Sequence, residues 1–372
     1  MLAAGLSCII LFVAVATSKT GFPAQGEDNL LISRASLKNN TIALPAADFT
    51  LGQSFVVGIS GKTLDEETKK LLQKIKPAGI VLYARNYENR EQFSKLIAEL
   101  QEFAKTTTGY HYFIMIDEEP GGATRLNLFK NVFASGFPDW GRIEDDIKEM
   151  AAVGINVDLA PLADFPFNED TFIRKRVQAH TPEALTYFNS KFIALLQENH
   201  ISATVKHFPG MGVFVDDPHR KLPHVSTDEG VLEESMNIFR EGINSGTRFV
   251  MTGHAVYDDI DPGIPVTLSK KITTGILRNE LGFTGLIITD DLSDMPFIVG
   301  RNINLAEATT ESLKAGHSLV MFSHNPGKTL AVFDKLLQRF QEDQELKLVV
   351  EQNYRDVISF KMTEANVNPA IR

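Results

Sequence analysis

The sequence predicts an α/β fold, a single (β/α)8 barrel of the TIM type. Three observations carry that expectation. Eight short apolar runs recur from residue 52 onward, helical patterns fill the gaps between them, and polar residues gather just after the runs. Continuous apolar runs of this length suit strands covered on both faces, and alternation with helices suits a parallel sheet. An open doubly wound sheet is the alternative. No Gly-x-Gly-x-x-Gly follows the first strand, which weakens its dinucleotide-binding version.

The strands are expected, in order, over 55–59, 79–83, 112–116, 155–159, 202–206, 248–252, 286–289 and 318–322. Thr63 and Glu66 have capping-box spacing, so a helix opens there, buries Leu64, Leu71, Leu72 and Ile75, and stops at Pro77. Thr181 caps a second helix with Pro182 in its first turn and Leu185, Phe188, Phe192 and Leu196 as its stripe. Ser269 opens a third, with Ile272, Ile276 and Leu277 inward and Gly282 at its end. Residues 89–105, 227–244, 303–315, 326–340 and 345–361 also carry helical periodicity. Eight strands and their helices occupy about 320 residues, which suits one barrel.

The chain has 372 residues and a net charge of −10. With a pI near 5.5 and no basic run, nucleic acid is not an expected partner. Residues 1–18 read as a signal peptide or membrane anchor. Leu6, Ile9, Leu11, Phe12 and Val13 form its apolar body and Ala14-Val15-Ala16 fits a cleavage site, although no Lys or Arg precedes the run. The expectation is an exported protein, periplasmic, cell-surface or secreted, with membrane attachment through this segment as one form of export. Residues 19–48 read as a tether and 49–372 as the barrel domain. The single cysteine, Cys8, lies in the apolar segment, so the rest of the chain has no disulfide and no Cys-based metal site.

In such barrels the reacting groups stand at the carboxyl ends of the strands. Here those ends carry Asp117-Glu118-Glu119, then Asp158 and Asp164, Lys206-His207, Thr252-Gly253-His254, Asp290-Asp291 and Ser323-His324. The segment Lys206-His207-Phe208-Pro209-Gly210-Met211-Gly212 with Asp217-Pro218-His219 suits an active-site loop: a basic pair for polar substrate groups, a turn, and an Asp that can orient and charge a His. The chain has no His-Glu-x-x-His, no phosphate-cradling Gly loop and no Gly-x-Ser-x-Gly elbow. Metal binding by Asp and His finds no support in the spacing. Carboxylates with cationic donors suit a polyhydroxylated substrate. Glycoside hydrolysis needs an acid and, in retaining enzymes, a carboxylate nucleophile; His219 can supply the first and Asp290 the second.

Lys206-His207-Phe208-Pro209-Gly210, Asp217-x-His219 and Thr289-Asp290-Asp291-Leu292-Ser293 resemble the bacterial β-N-acetylglucosaminidases of glycoside hydrolase family 3. So do Asp117-Glu118-Glu119-x-Gly121 with Arg125-Leu126, and Leu281-Gly282-Phe283-x-Gly285, and the resemblance covers about residues 50–362. It implies a retaining mechanism with no metal or other cofactor. Asp290 matches the nucleophile, His219 the general acid/base and Asp217 its orienting partner. Asp117, Arg125, Arg176, Lys206 and His207 match the groups that hold the terminal sugar. The implied activity is exo-hydrolysis of non-reducing terminal β-GlcNAc from peptidoglycan- or chitin-derived saccharides. A sugar-binding barrel of weakened activity, or a hydrolase of another β-glycoside such as a β-glucoside, is the alternative. Met211 stands where the family usually has a second His, Gly122 where it has an Arg, Pro120 where it has a Gly, and Val177-Gln178 where Ser-Phe is common. Outside this match, Asp164 and His324 read as structural, Trp140 as a core residue, and His254 as either a barrel-rim residue or a support of the site.

Overall fold

The computed structural model describes residues 42–177, 179–218, 220–293 and 304–367. The expected signal segment with Cys8, most of the tether, and His219 lie outside the described residues.

The strands close a parallel barrel. Helix α1 (Ala47–Gly52) precedes β1 (Phe55–Gly58), and the chain then runs through α2 (Glu66–Ile75), β2 (Gly79–Leu82), α3 (Arg90–Thr108), β3 (Phe113–Ile116), α4 (Trp140–Val153) and β4 (Val157–Asp158). It continues with α5 (Pro182–Glu198), β5 (Ser202–Phe208), β6 (His224–Val225), α6 (Glu229–Asn244), β7 (Phe249–Thr252) and β8 (Val256–Tyr257). The π-type helix α7 (Lys271–Glu280), β9 (Leu286–Asp291), α8 (Leu305–Ala315), β10 (Leu319–Phe322), α9 (Pro326–Glu342) and α10 (Gln344–Val367) complete it. The barrel order is β1-β10-β9-β7-β5-β4-β3-β2, and each neighbouring pair is parallel. The expected (β/α)8 barrel is the observed fold.

Strand alternation divides the core in two. Phe113, Met115, Val157, Phe249, Ile288 and Met321 belong to the cluster that fills the barrel interior. Ile114, Ile116 and Val205 belong to the cluster shared with the helices. This period of two decides which strand-end residues enter the mouth.

Local differences from the expected elements have identifiable causes. Asp65, not Thr63, caps α2: its carboxylate accepts from Thr68 N at 2.8 Å, while the Thr63 carbonyl closes a turn onto Asp65 N. Helix α1 takes the last two residues of the expected tether. Helix α4 is absent from the expected set although Ile143, Ile147, Met150 and Val153 are its buried stripe and Asp139 its cap. Thr181 caps α5 as expected, accepting from Ala184 N at 3.1 Å, and Ser269 Oγ accepts from Ile272 N at the start of α7. The two-residue strands β6 and β8 pair with each other over the mouth. They tie the segment that follows β5 to the one that follows β7.

Candidate active site

Alternation along β3 turns Asp117 and Glu119 into the barrel and Glu118 away from it. Inward Lys206, from β5, meets both: its ammonium donates to Asp117 Oδ1 at 2.7 Å and lies 2.8 Å from Glu119 Oε1. Arg125 donates to the other Asp117 oxygen at 2.7 Å, and Arg176 grips Glu119 through two nitrogens, at 2.5 and 3.1 Å. The result is a chain of alternating charges, Arg125–Asp117–Lys206–Glu119–Arg176, with Lys206 and Glu119 only 2–3 % exposed. Burial works against each charge, yet the partners outweigh it. Asp117 and Glu119 are held well below the usual carboxylate range, and Lys206 and Arg176 are raised above their ordinary values. All five groups are therefore ionised near neutral pH. The Arg125 guanidinium also lies 4.9 Å from the Tyr83 ring centroid, which fixes its plane.

Glu118 does a different job on the outer side. Its carboxylate accepts from Thr124 Oγ1 and from the backbone N–H groups of Arg125 and Leu126, so it fastens the loop that carries Arg125. Burial pushes its carboxyl up to about 7. Asp158 also faces outward; it accepts from Glu118 N at 3.1 Å, and burial raises its pKa well above the ordinary value.

His207 stands between two carboxylates. Nδ1 lies 2.7 Å from Asp164 Oδ2, and Nε2 lies 3.9 Å from Asp290 Oδ2. Asp164, fully buried, also accepts from His207 N and Met211 N at 3.0 and 2.7 Å. It is structural, as expected from the sequence, but what it builds is the site: it orients His207 and the start of the strand-five loop. Asp290, next to last in β9, has its side chain 22 % exposed, and its Oδ1 accepts from Asp291 N at 2.7 Å. Burial would raise its pKa. The neighbouring His207 and His254, the Asp291 N–H and Lys206 outweigh that and lower it, so Asp290 is a carboxylate near neutral pH.

His254 is a support. It is buried, with Nδ1 2.6 Å from Thr267 Oγ1 and Nε2 3.1 Å from the Asp291 carbonyl, so it braces the end of β9. Asp291 does not face substrate: it accepts from Ser293 N and Oγ and from Ser323 N, joining the ends of β9 and β10. Trp140 is partly buried and stacks on Phe188, with centroids 5.1 Å apart.

The strand-five loop is pinned at its base. Ser235 Oγ donates to the Pro209 carbonyl at 2.7 Å and the Tyr257 hydroxyl donates to the Gly210 carbonyl. Gly212 passes so close to Phe165 that a Cβ there would lie 1.5 Å from its carbonyl oxygen. Asp217 lies farther along, with Arg220 Nε 3.6 Å from its Oδ2. The structure thus brings Asp117, Arg125, Arg176, Lys206, His207 and Asp290 together. Asp217 stands on the loop, next in sequence but one to His219.

Sequence reading passed over Glu119. The signal was present: a residue two positions after Asp117 shares its face. Gly122 also gains a reason. A Cβ there would lie 2.2 Å from Glu119 Oε2, so the glycine leaves room for the carboxylate that Lys206 and Arg176 hold. Met211 is 5 % exposed and belongs to the hydrophobic core around the barrel.

Residues 50–359 match the glycosyl hydrolase family 3 N-terminal domain. A β-hexosaminidase of Nitrosomonas eutropha is 29 % identical over 306 residues, covering 77 % of this chain and 84 % of that protein. Among solved structures, a family 3 β-N-acetylglucosaminidase from Paenibacillus sp. superposes with a TM-score of 0.78 at 29 % identity, covering 87 % of this chain and 63 % of that one. The β-N-acetylhexosaminidase of Beutenbergia cavernae shares the fold, with a TM-score of 0.76 at 24 % identity over 86 % of this chain and 99 % of that one. The present chain therefore spans nearly all of one solved relative and less than two thirds of the other. It belongs to glycosyl hydrolase family 3.

Proposed function

We propose that this protein is an exo-acting, retaining β-N-acetylglucosaminidase that removes non-reducing terminal β-GlcNAc from peptidoglycan- or chitin-derived saccharides. The observation that carries the reading is Asp290: an ionised, partly exposed carboxylate at a strand end, beside a preassembled lattice of buried charges. Ionisation is the state a nucleophile needs. Asp117, Arg125, Lys206, Arg176 and His207 offer donors and acceptors in fixed directions, which suits the hydroxyl groups of one sugar ring.

In this mechanism Asp290 attacks the anomeric carbon as the bond from that carbon to the glycosidic oxygen breaks and the oxygen takes a proton from the acid, releasing the aglycone as an alcohol and leaving a covalent glycosyl-enzyme. Water then attacks that carbon while giving a proton back to the same acid/base group, and Asp290 leaves as the carboxylate. The proton has no source among the described carboxyl groups of the mouth. Asp117 and Glu119 are ion-paired with lowered pKa values, and Asp164 is committed to His207. The raised carboxyls, Glu118 and Asp158, face away from the mouth. This elimination favours an acid delivered from the strand-five loop, where His219 follows Asp217. Asp217 would favour its imidazolium and so keep a proton ready.

The test is release of p-nitrophenol from its β-GlcNAc and β-glucose conjugates. Asp290→Ala should lower kcat by about 10^4-fold or more, by analogy with loss of other nucleophiles. His219→Ala should lose most with poor leaving groups, since those need the proton. Turnover that is unchanged in Asp290→Ala defeats the mechanism, and preference for the glucoside defeats the substrate assignment. The apolar segment over residues 1–18 supports action outside the cytoplasm, which cell fractionation with a carboxyl-terminal tag would check.

A further inference from the structure

His254 is a buried titratable group beside the nucleophile that the proposed mechanism does not use. It is 4 % exposed and stands two residues past the end of β7. What it holds is residue 291, the neighbour of Asp290. The Asp291 carbonyl lies 3.1 Å from His254 Nε2, and the Asp291 N–H donates to Asp290 Oδ1 at 2.7 Å. Both backbone groups of one residue are thus engaged, one by the histidine and one by the nucleophile.

The contacts assign the hydrogens. A carbonyl only accepts, so Nε2 carries a hydrogen whatever the charge of the ring. On the other side Nδ1 lies 2.6 Å from Thr267 Oγ1, and that hydroxyl lies 3.0 Å from the Gly253 carbonyl. A hydroxyl has one hydrogen to donate and can also accept. In the neutral ring Thr267 donates to Nδ1. In the charged ring Nδ1–H donates to Thr267 Oγ1, and the hydroxyl turns its hydrogen to Gly253. Both contacts of the ring survive the change and no heavy atom moves. An imidazole between two carbonyls, or between two N–H groups, would lose a contact in one of its states.

The surrounding charges make this matter for Asp290. Burial pushes the His254 pKa below the ordinary histidine value; Asp290 and Asp291 on β9 pull it up, and His207 on β5 pushes it down. His317, a buried imidazole within the same field, is held down to about 4 by burial and stays neutral above that. The influence also runs the other way, since His254 is among the charges that lower Asp290. We propose that His254 is a positioning residue for the nucleophile: it holds residue 291 against Asp290 and switches charge in place beside it, with the Thr267 hydroxyl as the rotor. The proposal rests on Asp290 as the nucleophile. In acid the charged ring keeps the Asp290 carboxylate ionised, so turnover extends to lower pH than the carboxylate alone would allow.

The pH dependence of kcat/KM for p-nitrophenyl β-GlcNAc tests this, because its acidic limb reports the group that must be ionised in the free enzyme. His254→Gln keeps a donor for the Asp291 carbonyl and cannot be charged. Its loss of kcat/KM should be about tenfold greater on the acidic limb than on the neutral plateau, a limb moved up by about one pH unit. Thr267→Val removes the acceptor that the charged ring needs and should move the limb the same way. Thr267→Ser should restore the wild-type profile. Rates that fall equally at every pH, or a limb that Thr267→Val leaves in place, overturn the proposal, because His254 then only packs the end of β9. Imidazole nitrogen NMR of the full chain needs no turnover and decides where a variant fails to fold. The neutral ring of His254 should carry its hydrogen on Nε2, and Asp290→Asn should lower the pH at which it titrates. A hydrogen on Nδ1, or a titration that Asp290→Asn leaves unmoved, overturns the proposal. A wild type that releases no p-nitrophenol counts against the glycosidase reading alone, and the NMR titration then decides whether His254 answers to Asp290.

Discussion

Lys206 and Lys361 are 2 % and 6 % exposed, one at each end of the same barrel. Burial disfavours the charged form of both. At the mouth, Asp117 and Glu119 reverse that effect and Lys206 is raised above the ordinary lysine value. At the floor no carboxylate among the described residues answers Lys361, and burial pushes it down to about 7. The difference teaches where this fold commits its charge. The mouth supplies its own counter-ions and is ready for substrate. The floor carries a buried amine whose partners are an amide oxygen and an aromatic face, so burial dominates its titration.

The largest effect should follow from breaking the mouth. Lys206→Met leaves Asp117 and Glu119 close together without the cation between them. Removing one partner of a buried ion pair costs about 3–5 kcal/mol, and denaturant unfolding should show a loss of that order. Turnover should fall with it, because Arg125 and Arg176 would redistribute between two repelling carboxylates. A variant as stable as wild type would mean that Lys206 is not what holds the lattice. Asp117→Asn combined with Lys206→Met should recover part of the loss, since one uncompensated charge has then gone.

The sequence made the mouth legible and the floor illegible, for a physical reason. Strand-end residues declare themselves, because Asp117, Lys206 and Asp290 each follow an apolar run and the barrel rule says what that means. Period two would also have added Glu119. What one sequence does not reveal is which charges meet. Lys206 could have faced substrate freely, and only the folded chain shows it clamped between two carboxylates. Asp164 was read as structural, and the structure gives that role a target in His207. Lys361 gave no signal, since in a helix of mixed composition it reads as a solvated residue. Its burial arises from Phe360 plugging the strand starts, a contact between distant parts of the chain. Helix α4 was legible but missed: its stripe Ile143, Ile147, Met150, Val153 is regular, though interrupted by Glu144-Asp145-Asp146.

The second effect sharpens the contrast through pH. The folded pKa of Lys361 is near 7 and that of a free lysine 10.5. Between these values the unfolded chain binds the extra proton, so stability rises with pH across this window, by up to about 1.4 kcal/mol per unit. Below 7 both states are protonated and the slope disappears. Lys361→Met keeps the apolar stem over Phe113 and removes the titration. It should be at least as stable as wild type near neutral pH, and its stability profile should lack the slope. A slope retained in Lys361→Met would assign it to another group.

The smallest effect tests how tightly the mouth is preassembled. In Gly122→Ala the new methyl would lie 2.2 Å from Glu119 Oε2. The end of a free glutamate would swing aside at little cost. This one cannot swing freely: Arg176 Nε donates to that oxygen at 3.1 Å and Ala123 N donates to it at 2.7 Å, while Lys206 lies 2.8 Å from the other. The strain should cost about 1–2 kcal/mol, the usual scale of one added methyl in a packed site. If Glu119 positions Arg176 and Lys206 for the sugar, that cost should appear as a KM raised up to about tenfold, with kcat for p-nitrophenyl β-GlcNAc less affected. His207, His254 and the Asp291 N–H, not Glu119, are what chiefly keep Asp290 ionised, so the chemical step should persist. An unchanged KM with lowered thermal stability would mean that Glu119 serves the fold alone. A collapse of kcat would mean instead that the lattice reaches through Lys206 to the nucleophile.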